Sequence, residues 1–193
     1  MRLDNPPARY LLSAMRIVLA LFLASLAALR AGAQPAPVWD QTVFSSVTFG
    51  AFCQLVTVDS VPAPDTAAQR VDLLPVTPDI RWPGTRIPAL EGISFGVRTE
   101  TIGGAVIDPV LVELTHPPFH ESGTTRQSYL TVLGGSGASI NAYSFDLPEE
   151  LVTGTWTLQA FHDGQLLYHV RFEVVAPAQA PGIGTSCGSY LGS

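Results

Sequence analysis

Apolar and polar positions alternate most clearly in the second half of the chain. Ile93, Phe95, Val97 and Thr99 alternate with Ser94, Gly96, Arg98 and Glu100, the period-2 signature of a half-buried strand. Gly103-Gly104 then marks a turn, Val106 to Thr115 the next strand, and Pro117-Pro118 its end. Gln127 to Leu133 predicts a further strand, and Gly134 to Gly137 a flexible loop after it. Ala142 to Asp146 is short, with Tyr143 and Phe145 alternating. The strongest signal is a hairpin over Thr153 to Val175. Trp156, Leu158 and Ala160 alternate with Thr155, Thr157 and Gln159, and Asp163-Gly164 is a tight-turn dipeptide. On the return, Leu166, Tyr168, Val170, Phe172 and Val174 are expected on one face, with Leu167, His169, Arg171 and Glu173 on the other.

The first half is less regular. Thr42 to Val58 is rich in Val, Thr and Phe and reads as a strand pair or one strand bent at Gly50. Pro62 to Ala68 reads as a loop and Arg70 to Leu74 as a short strand. Prolines at 75, 78, 83 and 88 argue against regular pairing from Pro75 to Pro88. Leu147 to Val152 is the one stretch past the N-terminal region resembling a helical turn. Short strands separated by turn signals predict an all-β fold, an antiparallel immunoglobulin-like β-sandwich, with a small β-barrel as the alternative.

Ile17 to Leu29 is an uncharged apolar run of a different kind. It has thirteen residues, against roughly 20 needed to span a bilayer. Arg16 flanks it on one side and Ala31-Gly32-Ala33 supplies small residues on the other, the pattern of a cleaved export signal. The organisation expected is a signal peptide over 1–33, a flexible leader over 34–41, the sandwich over 42–175 and a tail over 176–193. Met15-Arg16 resembles an ordinary signal start more closely than Met1 does, so both starts stay open. The mature protein is expected to be periplasmic or extracellular, without a membrane span.

Without residues 1–33 the chain keeps 160 residues, enough for one domain with a substantial core. It then carries six arginines against fifteen acids, a formal charge of −9, and no lysine. Such a surface repels phosphate backbones, which argues against nucleic-acid partners. Cys53 and Cys187 both fall in the exported portion, where disulfides persist. An even count without CxxC spacing predicts one long-range bridge that tethers the tail, contributing about 4–5 kcal/mol by the chain-entropy account.

A run of short motifs spans about 47–175: Ile87-Pro88-Ala89 with Gly92 to Gly96, Leu114 to Pro118, Phe145-Asp146, Leu151 to Thr157, and the Asp163-Gly164 hairpin ending in Phe172 to Val175. Over this range the chain resembles a family of uncharacterised exported bacterial domains, known only as a domain of unknown function. The resemblance implies a compact exported β domain and no assigned activity.

Candidate chemistry is sparse. His116 and His120, in HPPFH beside Glu113 and Glu121, are weak candidates for a metal site. Their spacing needs a helix that Pro117-Pro118 forbids, so His116 is read as bonding loop backbone at a strand end. His162 and His169 are expected to face solvent. Glu149 and Glu150 are adjacent, diverge on any turn or strand, and are read as solvated rather than as a catalytic pair. Gly184 to Gly188 lacks the helix that follows a nucleophile elbow. No motif requires a cofactor, and none supports an enzyme. Trp82 with Arg81 and Arg86, together with Phe119, is the candidate binding surface, against the alternative that Trp82 plugs one end of the sandwich. The expected function is binding of a protein or envelope component. A carbohydrate-binding module using Trp82 or Phe119 comes second, and a metal-binding role comes last.

Overall fold

The computed structural model describes residues 36–187. The signal expected over 1–33 and residues 188–193 of the tail lie outside the described residues. Among the described residues, twelve strands form two packed sheets and an outlying hairpin. The first sheet holds β1 (Val38–Trp39), β12 (Gln165–Val175), β11 (Gly154–His162), β8 (Ile107–Thr115) and β9 (Arg126–Leu133) in that order. Its sixth strand, β6 (Arg86–Pro88), is added to β12. The second sheet runs β10 (Ser139–Ser144), β7 (Ile93–Thr101), β2 (Phe44–Cys53), β5 (Trp82–Pro83). β3 (Asp59–Pro62) and β4 (Arg70–Leu73) pair with each other alone, as an arm. The architecture is an open antiparallel sandwich of immunoglobulin type, and the two ladders stay separate, so the barrel alternative does not hold.

The alternating residues build the core as their period requires. Phe95 and Val97 on β7 face Trp156, Leu158 and Ala160 on β11 and Tyr168, Val170 and Phe172 on β12, all buried. Phe95 meets Trp156 and Phe172 edge-on, with ring centroids 5.6 and 5.0 Å apart. Such pairs add about 0.5–1.5 kcal/mol each beyond burial. Trp156 keeps its indole N–H satisfied on the Val152 carbonyl at 3.1 Å.

Asp163 and Gly164 have φ of 48° and 77°, the left-handed pair that lets a two-residue turn match strand twist. A bulge between Ala160 and Phe161 breaks the alternation expected on β12. As a result Leu167 and Tyr168 are both buried, while Leu166 is left 40% exposed.

Three segments depart from the sequence reading. Val38–Trp39, placed in the leader, pair with His169 and Tyr168 on β12, and Trp39 packs against the core. The proline-rich stretch contributes β5, against β2, and β6, which runs parallel to β12. Proline is tolerated there because both pieces are two or three residues long and lie on sheet edges. Thr42 to Val58 gives one strand, β2, with its irregularity between Phe44 and Ser46 rather than at Gly50. Gly50 has another task. Its φ is +151°, and a Cβ there would stand 2.2 Å from the Trp82 carbonyl oxygen, so only glycine lets β5 lie this close.

Beyond β12, Pro177–Gln179 form a 3-10 turn. Ile183 then packs on the core, and the Cys53–Cys187 disulfide closes with Cα atoms 5.4 Å apart.

Candidate functional site

β9 and β10 are edge strands of opposite sheets, so the sandwich opens between them. The β3–β4 arm reaches this side. Its Asp65 carbonyl accepts the Ser128 N–H at 3.1 Å, and its Ala67 N–H donates to Gln127 Oε1 at 2.8 Å. Farther along, Thr77 Oγ1 donates to the Ala138 carbonyl at 3.0 Å. Between these elements lies a cleft of about 530 Å³.

Polar groups on and behind the cleft wall form three hydrogen-bonded sets. At depth, Tyr129 donates to Asn141 Oδ1 at 3.2 Å, and Asn141 Nδ2 donates to the Tyr168 hydroxyl at 2.8 Å. Burial pushes both phenols well above the ordinary tyrosine range, so they stay neutral. Beside them, Gln127 links the arm to His116, its Nε2 standing 3.1 Å from His116 Nε2. Toward the rim, Gln54 Nε2 donates to Asp146 Oδ1, and Arg70 pairs with Asp72 at 2.9 Å.

Carboxylates dominate the charge of the lining. Asp146 is pushed up chiefly by burial, with the Gln54 bond opposing. Glu150 is also raised by burial, although its Oε2 accepts the N–H groups of Asp146 and Leu147 at 2.9 and 3.1 Å. Glu150 is therefore a buried turn-capping residue and not the solvated one expected, because Pro148–Glu150 form a 3-10 turn that folds it back. The Tyr143 hydroxyl is buried without a hydrogen-bond partner among the described residues. Burial raises its pKa, and the nearby Glu150 charge adds to this. Arg70 is the one guanidinium on this lining, against Asp72, Asp146 and Glu150. The site is suited to hydrogen bonding and to a cation.

The residues singled out from the sequence lie elsewhere, apart from their link through Gln127. His116 is buried, stacked between Phe119 at 4.0 Å and Trp156 at 4.6 Å. Its Nδ1 bonds the Pro117 carbonyl at 2.8 Å and its Nε2 meets Gln127, so neither nitrogen is left to bind a metal. His120 is exposed. Among the described residues, no group of three or more His, Cys, Asp or Glu stands close enough to hold a metal ion. His162 bonds the Pro109 carbonyl at 2.8 Å, and His169 is half-buried against Gln159 at 3.1 Å.

Of the expected aromatic surface, Phe119 is lost to the core. Phe119 is 2% exposed, because the stack on His116 takes it into the core. Trp82 is half-buried in β5, with the Arg81 guanidinium 5.0 Å from its ring centroid. Arg81 also reaches Ser186 at 2.7 Å and Cys53 Sγ at 3.6 Å, and Arg86 Nε donates to the Gln179 carbonyl at 3.1 Å. These residues fasten the tail. Sequence reasoning missed the cleft because Gln54, Asp72, Gln127, Asn141 and Asp146 come from separate segments. The one local hint was Asn141 at a core-facing strand position.

No curated protein matches the chain. Among solved structures, an immunoglobulin-like protein from Pseudomonas aeruginosa is 23% identical, with 75% of this chain and 100% of that one covered at a TM-score of 0.47. No helix among the described residues is long and apolar enough to cross a membrane. Over residues 40–174 the chain matches DUF3859, a domain of unknown function, and it belongs to that family.

Proposed function

We propose that the mature protein is an exported, non-enzymatic binding domain that holds a protein or another cell-envelope component in the cleft between β9, β10 and the arm. The observation that carries this reading is the cleft lining, a concavity of about 530 Å³ whose buried polar groups are held in place by one another. Export is supported by the signal-like run at 17–29 and agrees with the Cys53–Cys187 bridge, which suits an oxidising compartment. A binding role without catalysis is supported by the lining chemistry. Asp146 Oδ1 and Glu150 Oε2 are engaged by Gln54 and by backbone N–H groups, which fixes the two carboxylates in place as a binding lining. The carbohydrate reading keeps Trp82 alone, since Phe119 lies in the core and Arg81 stands 5.0 Å from the Trp82 ring centroid.

The test is photo-crosslinking in the native envelope, with a photoreactive residue at Asp72 or Thr131 in the cleft and at exposed Thr48 on β2 as control. Adducts confined to the cleft positions are expected. Adducts from Thr48 alone, or from none of the three, would overturn the reading.

A further inference from the structure

β10 is an edge strand with an unpaired side. Its inner side is fixed by β7, through the register Tyr143↔Phe95, Asn141↔Val97 and Ser139↔Thr99. Phe145 N–H donates to the Ile93 carbonyl at 3.2 Å, which sets the phase of the ladder. In an antiparallel pair, alternate residues turn both backbone groups to the same neighbour. Ser139, Asn141 and Tyr143 therefore bond toward β7, while Ile140, Ala142 and Ser144 turn their N–H and C=O groups the other way. No backbone bond to that outer side occurs among the described residues.

The free side borders the cleft. Residues 138–144 line one wall without a break, and residues 70–77, including β4, line another. β4 is likewise paired on one side only, with β3. The cleft thus separates two strands that each have a free edge. From Ile140 to Ser144 the open edge runs about 13 Å at ~3.3 Å per residue, room for a strand of about five residues. Exposed edges are commonly blunted by a charge on the edge itself, and β10, Ser-Ile-Asn-Ala-Tyr-Ser, has none.

We infer that this cleft binds an extended segment of a partner protein, which adds as a strand to Ile140–Ser144 and places a basic side chain among Asp72, Asp146 and Glu150. The inference rests on the binding reading above and names its partner class. Backbone bonding accounts for affinity in this mode, and side-chain pockets account for choice. The charge preference follows from the lining. Arg70, its one guanidinium, is already paired to Asp72, which leaves Asp146 and Glu150 to complement a Lys or Arg on the incoming strand.

The test begins with a phage-displayed library of random linear dodecapeptides selected on the full processed protein. Selected peptides are synthesised and followed by amide hydrogen exchange. Expected are basic, strand-forming peptides that slow exchange at Ile140, Ala142 and Ser144 at least about fivefold, while Asn141 and Tyr143, already bonded to β7, stay unchanged. Replacing the basic residue by Glu should weaken binding at least about tenfold, and Asp146→Asn should narrow that gap. Ala142→Pro removes an outward N–H and no bond to β7, so it should abolish binding with the fold retained.

Protection of the same three amides before any peptide is added would mean that the chain's own ends fill the site, and would overturn the inference. So would a dimer protected at those amides, which would assign the edge to a second copy. Peptides that bind without protecting β10, or that prefer Glu, would overturn it and leave the binding reading standing. If no peptide binds while the cleft positions still crosslink, this inference alone fails. If neither occurs, both fail.

Discussion

At the scale of single residues, the His116 ring carries a pH dependence whose sign can be worked out. Its Nδ1–H donates to the Pro117 carbonyl and its Nε2 accepts from Gln127, so the imidazole is neutral in the folded chain. Burial holds its pKa below the ordinary value of about 6.5, with the Pro117 bond opposing in part. As pH falls below ~6.5 the unfolded chain takes up a proton that the folded chain resists, so stability falls with pH across that window. Asp146 and Glu150 are shifted up, the opposite case, and lose stability as pH rises above the ordinary carboxylate value of about 4. His116→Phe keeps a ring between Phe119 and Trp156 but leaves the Gln127 amide without its acceptor. It should cost about 1–3 kcal/mol at pH 7.5, and the gap from wild type should narrow as pH falls to 5. Urea unfolding of both proteins at several pH values checks this, since the carboxylate contributions are common to both and cancel in the difference. A gap constant with pH would show that the ring is not held neutral.

At the scale of elements, the arm is the weakest piece of regular structure. A two-stranded ribbon is marginal alone. β3 is exposed along its whole length, and the arm loop is held mainly by Asp65 to Ser128 and Ala67 to Gln127. Val61 and Val71 amides should therefore exchange at least about tenfold faster than those of Val97 and Leu158, and Gln127→Leu should widen the difference. Equal rates would mean that the arm opens only with the whole sandwich. What was legible in the sequence divides along the same line. The β11–β12 hairpin, β7, β8 and β9 announced themselves because a local period and a turn dipeptide specify each. β3, β5 and β6 did not, since two to four residues show no period, and long-range pairing makes β5 and β6 strands despite Pro83 and Pro88. The cleft was illegible for a related reason: its lining is assembled by the arm crossing the open side. Glu150 was misread because the turn that buries it is three residues long.

At the scale of the whole molecule, the Cys53–Cys187 bridge joins residues 134 apart and so closes most of the described chain into one loop. Its effect falls chiefly on the unfolded chain, whose freedom it restricts, and the loop length corresponds to about 5 kcal/mol. In the folded state the tail has few other attachments. Gly184 lies against Leu90 and Ile93, Arg81 holds Ser186, and Arg86 holds the Gln179 carbonyl. The arginine contacts are exposed and individually worth little. Cys53→Ser/Cys187→Ser should therefore keep the sandwich but lose about 3–5 kcal/mol, lowering Tm by roughly 10–15 °C for a domain of this size. The loss should appear mainly as slower refolding, because a cross-link that shortens the search acts before the native contacts form. Thermal melts and refolding rates of the wild type with and without reductant, beside the double variant, check both points. Thiol titration of the denatured, unreduced wild type should find none free. Were the loss to appear entirely in the unfolding rate, the bridge would be acting as a native clamp on the tail, and Arg81→Ala would then deepen it.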